Sequence, residues 1–440
     1  MTGTGNSQDG TTTSLFKDGS GTLTLSGGNS YTGDTRIVSG TLTVASGGSL
    51  GSGSDVFVSS NGVLTVNAST AIASLREAGE GNSGTSTIDT GATLTINGAN
   101  KGTNFFSTIS GAGNLTFSGS GNSTASLYNA QTYTGTTTVT DGKLVSSGAL
   151  SSAAYSVSDG TFETVGDDKI ANNATVAVSG GNFVVGGNDT VGAVTATGGR
   201  LSVGGGNTVS LSANSAIGSG AEIVGGTIAV NSGTTLTLNS NDADNTSALT
   251  IASGGTIKGS FRTSGALSVD GVLAPGNSTG ISYVSATTFL GGGRYQWEID
   301  TFGPGAVVGT NWDFLDISGV LTISATSGDK FWIDIVSLLA SNDLGGAASG
   351  FNLTSNYNFA IATAAGGISG FDAGAFGIDT AGFQNSMGAS PAYNPGVWSV
   401  STSGNSLMLN YAGATAIPEP STAALTLIGL GVLALTRRRG

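Results

Sequence analysis

Short runs of alternating apolar and polar residues recur along most of the chain. In the run Thr22–Leu25 the leucines face one side of an extended strand and the threonines the other. The unit is Gly-X-Leu-Thr-Val or a close variant. It occurs at Gly21–Leu25, Gly40–Val44, Gly62–Val66, Gly91–Ile96, Gly113–Phe117, Gly142–Val145, Gly199–Val203, Gly226–Val230 and Gly265–Val269. Neighbouring copies mostly stand about 20 to 30 residues apart, within the range of solenoid repeats. Each run is bounded by Gly, Ser and Asn, which accept the backbone angles of tight turns. A tandem array of this kind gives Leu, Val and Ile one continuous core and leaves Thr and Ser facing water. Stacked coils pair every strand except at the two ends. The pattern therefore predicts an all-β chain with a parallel β-helix, or β-solenoid, over residues 1–280. A β-sandwich would require hairpin turns such as Asn-Gly between paired runs, whereas these repeats are regular and tandem.

The pattern changes after Gly280. All four tryptophans, Trp297, Trp312, Trp332 and Trp398, lie beyond it. Tyr295, Trp297 and Ile299 alternate with Gln296, Glu298 and Asp300, as in a half-buried strand, and Phe331, Ile333 and Ile335 repeat the alternation. Residues 281–411 are thus expected to form an aromatic-rich β module that caps the open end of the solenoid. A linker, 412–421, contains Pro418-Glu419-Pro420, and residues 422–440 hold an apolar run followed by Arg437, Arg438 and Arg439. The run from Thr422 to Thr436 is about fifteen residues, ~22 Å as a helix. That is shorter than the ~20 residues of a stable membrane span. The arginines would keep the C-terminus in the cytoplasm. The run reads as an ordinary short membrane anchor or, more sharply, as a processing signal that is transiently inserted and then cut.

Composition narrows the chemistry. There are 75 glycines among 440 residues, charged residues make up 9%, and the net charge is −13. With no basic stripe, nucleic acid is excluded as a partner. Cysteine and histidine are both absent. That removes disulfides, His-dependent triads and most zinc sites. The chain opens on Met1-Thr2-Gly3-Thr4 without the basic and apolar segments of a secretory leader. The start is therefore expected to be that of a fragment.

Glycoside hydrolysis needs two carboxylates on one face, and Glu298, Asp300, Asp313 and Asp316 are the candidates. The first two are expected to share a strand face, and the simpler reading is solvated or turn carboxylates. Glu163, Asp167 and Asp168, with Lys169 beside them, read as a charged turn. Asn241–Asn245 and Gly186–Val191 offer oxygen ligands for calcium, but the first lacks the glycine and terminal glutamate of an EF-hand loop and the second is one imperfect copy. Both read as polar turns. Gly204–Gly206 does not lead from a strand into a helix and carries no nucleotide signal. No catalytic residue, metal site or cofactor is assigned.

Two segments carry a resemblance. Lys17–Gly33 continuing to Gly40–Val44 resembles the autotransporter-associated β-strand repeat. Gly111–Phe117 with Tyr133–Val139 and Gly142–Leu144 resembles a second copy, with an insertion between Ser118 and Thr132. Leu273–Gly280 resembles the Pro-Gly-Asn-Ser element that ends such passengers. The resemblance implies a right-handed parallel β-helix on the cell surface and no particular ligand. The last residues resemble the PEP-CTERM sorting signal, with Pro418, Glu419 and Pro420 in the motif position and Arg437–Arg439 as the cytoplasmic anchor. That resemblance implies recognition and cleavage by an exosortase-type processing enzyme in an exopolysaccharide-producing Gram-negative bacterium.

The reading is a non-enzymatic exported protein of the cell envelope, cell surface or extracellular matrix. Its role is structural or adhesive, with extracellular polysaccharide as a further partner. A β-helix polysaccharide lyase or hydrolase is the alternative. So is an autotransporter passenger, although the module from Ile281 to Tyr411 is expected to be too short for a membrane barrel and is followed by an apolar run and arginines.

Overall fold

The computed structural model describes residues 13–77, 84–98, 103–341, 344–384 and 397–414. Every repeat unit named above lies on a strand, and the strands stack as a parallel β-solenoid. A fourteen-stranded sheet forms its longest face, starting at Thr70–Ile72 and ending at Phe376–Asp379. A seven-stranded face runs from Thr103–Phe105 to Ala221–Val224, and an eight-stranded face from Asp189–Val191 to Ile368–Ser369. At the N-terminal end, the long strands Thr35–Val44 and Asp55–Val66 belong to a separate seven-stranded sheet. Among the described residues the one helical element is the 3₁₀ turn Ala373–Ala375.

Parallel register turns the period-two pattern into columns. On the longest face Ile96, Phe117, Val139, Val157, Val178, Ala196, Ile217 and Leu238 pair one after another. All are buried. Strands in a sheet are ~4.8 Å apart, so each such residue sits on its neighbour and the core is continuous. On the seven-stranded face Leu144, Phe162, Phe183 and Leu201 make the equivalent column, with the two rings 5.1 Å apart.

The glycine that opens many repeat units marks a sharp corner. Gly142, Gly160, Gly181 and Gly199 follow one another coil by coil with φ of +72°, +72°, +64° and +69°. A Cβ on Gly160 or Gly181 would come within 2.4 Å of a carbonyl oxygen of the preceding coil. Both the left-handed backbone and the close stacking therefore demand glycine. Asp141 and Asp159 tie two of these corners by accepting the N–H of the glycine that follows.

The change of composition at Gly280 does not interrupt the ladder. Leu267–Val269 pairs with Thr287–Phe289, and Val272–Pro275 with Arg294–Ile299, all parallel. What changes is coil length. In the repeats Ser202 bonds Asn182 20 residues away, whereas Arg294 bonds Asp334 at a separation of 40 and Asp379 at 85. The longer excursions carry the aromatics. Phe302 packs edge-on against Phe351, Tyr357 and Phe359 at centroid distances of 4.8 to 5.4 Å. A five-stranded sheet is built from the same part of the chain. Its first three strands, Ile281–Val284, Phe314–Ile317 and Tyr357–Ala364, are parallel. Ser406–Ala412 and Val397–Ser403 then add antiparallel.

Candidate functional site

The four candidate carboxylates of the aromatic end serve different purposes. Asp313 is wholly buried. Its Oδ1 accepts from Gly280 N at 2.8 Å and its Oδ2 from Glu298 N at 2.9 Å. It thereby fastens the end of the Pro275–Gly280 turn to the strand Arg294–Ile299. Burial pushes the carboxyl well above the usual range, the charge of Glu298 adds to this, and the two N–H donors oppose it. Asp300 falls just past that strand, is 7% exposed, and accepts from Asn311 Nδ2 at 2.9 Å. The expectation that Asp300 and Glu298 form a pair on one strand face is thus corrected, because the chain turns in at Asp300. Glu298 accepts from Gln296 at 2.8 Å. Asp316 points outward, and lines a ≈ 210 Å³ hollow with Arg262, which stacks 4.2 Å over the Tyr283 ring. A general acid must reach substrate. Asp313, buried and with both oxygens bonded to backbone, does not.

The sign of the Asp313 shift gives a prediction. The folded state binds this proton more tightly than the unfolded chain. The stability it contributes is full below the unfolded value, about pH 4, and is lost as pH rises toward the folded value. In urea titrations between pH 4 and 8, wild type should lose stability relative to Asp313→Asn as pH increases. Parallel pH profiles for the two proteins would contradict the assignment.

Elsewhere the polar turns are structural. Glu163, expected in a charged turn, instead lies on the strand Thr161–Thr164, where neighbouring coils pair with it, and its side chain meets Lys143 at 2.6 Å; Asp167 accepts from Asn188 N at 2.7 Å. Asp168 takes the left-handed backbone with φ +53°. Lys169 donates its backbone N–H to Asp189 at 2.9 Å. Asp189, within the stretch Gly186–Val191 read as a polar turn, instead opens the strand Asp189–Val191, is 4% exposed, and accepts through Oδ2 from Lys169 N and Ile170 N. It pins a corner from inside. Gly204–Gly206 leads into the strand Thr208–Leu211, with Gly206 at φ +81°.

In Asn241–Asn245, Asn245 is buried, accepting from Ile223 N and donating to Ser240. Asp242 and Asp244 stay exposed, and folding brings Glu222 to them, with carboxylate oxygens of all three within 4.8 Å of one another. Sequence spacing hides this contact, which spans a whole coil. Arg200 already supplies a cation to Glu222 through Nε at 2.7 Å and through Nη2.

Pro418, Glu419, Pro420, Arg437, Arg438 and Arg439, together with the apolar run before the arginines, lie outside the described residues. Among the described residues no helix is long and apolar enough to cross a membrane.

Two broader surfaces remain. At the N-terminal end, Leu15, Leu23, Leu25 and Tyr31 line a ≈ 490 Å³ hollow beside the edge strands Leu15–Lys17 and Thr22–Leu25. Lys17 braces that end by donating to the carbonyls of Gly19 at 2.6 Å and Ser39 at 2.8 Å. The other surface is the outward side of the fourteen-stranded sheet from Thr93–Ile96 to Thr256–Gly259, where hydroxyl side chains, with some alanines, an asparagine and one lysine, alternate with the buried column.

Comparison with known proteins agrees with the two resemblances read from the sequence. Residues 15–44 match the family model of the passenger-associated-transport-repeat, covering the strands Leu15–Lys17, Thr22–Leu25 and Thr35–Val44. Residues 416–439 match the PEP-CTERM protein-sorting motif. Over 180 residues, 40% of this chain, the sequence is 33% identical to the adhesin BmaC autotransporter of Brucella suis biovar 1 (strain 1330). The aligned stretch spans 5% of that relative's length. By these matches the chain is similar to autotransporter passengers through its repeats and to PEP-CTERM proteins through its last residues.

Proposed function

We propose that the chain is an exported, non-enzymatic protein of the cell surface or extracellular matrix, structural or adhesive in role. An exosortase-type enzyme of an exopolysaccharide-producing Gram-negative bacterium recognises Pro418, Glu419 and Pro420. The apolar run after them inserts transiently in the inner membrane, with Arg437–Arg439 on the cytoplasmic side, and is then removed. Extracellular polysaccharide is the partner outside. The observation that carries this reading is the sorting motif at residues 416–439 on a chain whose described part is a parallel β-solenoid with a passenger-type repeat.

Further support comes from the fold. Right-handed winding follows the strong preference of parallel β crossovers. The antiparallel strands Ser406–Ala412 and Val397–Ser403, with the aromatic cluster, act as a cap that covers strand edges and core. A polysaccharide-cleaving enzyme is disfavoured by Asp313 and Asp300, which are buried and hydrogen-bonded within the fold. The similarity to an adhesin autotransporter favours adhesion over a purely structural role. The test is the C-terminus of protein recovered from outside the producing cell, which the reading places near Pro418–Pro420.

A further inference from the structure

The fourteen-stranded sheet presents two outward columns of side chains along the solenoid. In one, Thr95, Thr116 and Thr138 stack in direct register, and the column continues through Ser156, Ala177, Thr195, Ala216 and Thr237 to Lys258. Its companion, two residues earlier along the chain, begins at Thr93 and reaches Thr256, and at the short strands Val194–Ala196 and Ser215–Ile217 it falls just before the strand. Neither column holds a carboxylate between these limits, in a chain with 27 acidic residues. Lys258 is the one fixed charge in the two columns. Between Thr195 and Lys258 the face dips into a shallow groove of ≈ 360 Å³, lined also by Asn214, Thr235 and Thr237.

These features select a ligand chemistry. Threonine hydroxyls both donate and accept hydrogen bonds, and the amide of Asn214 does the same. Threonine methyls and Ala216 supply small apolar contacts between them. With almost no fixed charge, the face binds a neutral partner without stripping water from ions. The rungs recur every ~4.8 Å along a straight axis. A linear polyhydroxyl polymer laid along that axis therefore meets at least one hydroxyl or amide side chain at every coil, and weak contacts multiply.

We propose that this face binds a neutral polysaccharide chain running along the solenoid axis, with its deepest seat in the groove from Thr195 to Lys258. The inference rests on the surface role proposed above and names the partner's chemistry and place.

Affinity electrophoresis of the full chain through gels containing hydroxyethyl cellulose, dextran or alginate tests it. Retardation is expected in at least one of the two neutral polymers. The double variant Thr195→Glu/Thr237→Glu should weaken it at least tenfold. Thr250→Glu, on the outward side of the eight-stranded sheet, should leave it unchanged. Should the double variant melt below that control, the single Thr195→Gln variant repeats the comparison. Equal retardation of all variants, retention by alginate alone, or no retention would overturn the proposal. A trimmed C-terminus on protein that shows no retention would sink the binding face and leave the export reading standing.

Discussion

Trp297→Ala is expected to destabilise the aromatic end by about 3–5 kcal/mol, the range for removing a fully buried large aromatic. The indole has 0% exposure, lies 5.2 Å from the Phe359 ring, and donates from Nε1 to the Asp313 carbonyl at 2.9 Å. Alanine leaves a cavity and orphans that carbonyl beside the one side chain that fastens Gly280 to Glu298. Trp297→Phe keeps most of the volume and loses chiefly the hydrogen bond, so about 1 kcal/mol is expected. Coils of a solenoid are coupled only to their neighbours, so the damage should stay local. The remaining tryptophans all lie beyond Gly280. In a guanidinium titration of the alanine variant, their fluorescence should change at lower denaturant than the far-ultraviolet signal of the whole array. Coincident transitions at the wild-type midpoint would show that Trp297 does not support this end.

The second large effect concerns the glycine corner. Gly181 and Gly233 have similar backbones, φ +64° and +75°. A Cβ on Gly181 would meet the Gly160 carbonyl oxygen at 2.4 Å, while one on Gly233 would meet nothing within 4 Å. Alanine at either site carries the left-handed strain of roughly 1–2 kcal/mol. Only Gly181→Ala must also push two coils apart and weaken their ladder. Gly181→Ala should therefore lower the denaturation midpoint clearly more than Gly233→Ala. Equal losses would mean that backbone angle alone, and not coil stacking, fixes glycine at this corner.

Much of this architecture is legible in the chain itself. The alternation in Thr22–Leu25 and its relatives identifies the strands, because a pleated strand with one buried face imposes period two whatever its partners. The glycine heading each unit is legible as a turn. Which face a unit joins is not. Thr93–Ile96 lies on the fourteen-stranded sheet, Lys143–Ser146 on the seven-stranded one and Thr227–Val230 on the eight-stranded one. The motif reports a strand entering from a corner, and a coil with three corners can place it on any side. Strands such as Ser215–Ile217 lack the motif because a short rung with serine and alanine carries little apolar signal.

The polar residues were harder to read. Asp189, Asp313 and Asn245 look like surface or turn residues in sequence but are buried and hydrogen-bonded to backbone N–H groups. Their partners are supplied by neighbouring coils or by segments at least 15 residues distant. The outward columns depend on the parallel register as well as on the Thr-rich composition, because residues a whole coil apart must align. The sorting motif was legible for the opposite reason: its chemistry is local, with two prolines, an apolar run and an arginine cluster in fixed order.

The proposed function has the solenoid delivered outside the cell by a tail that is then removed. The most direct test is mass spectrometry of the protein's C-terminus, recovered from the surface or medium of the native host. A terminus near Pro418–Pro420, with the aromatic end through Tyr411 intact, is expected. A mature protein still carrying Arg437, Arg438 and Arg439 would contradict it.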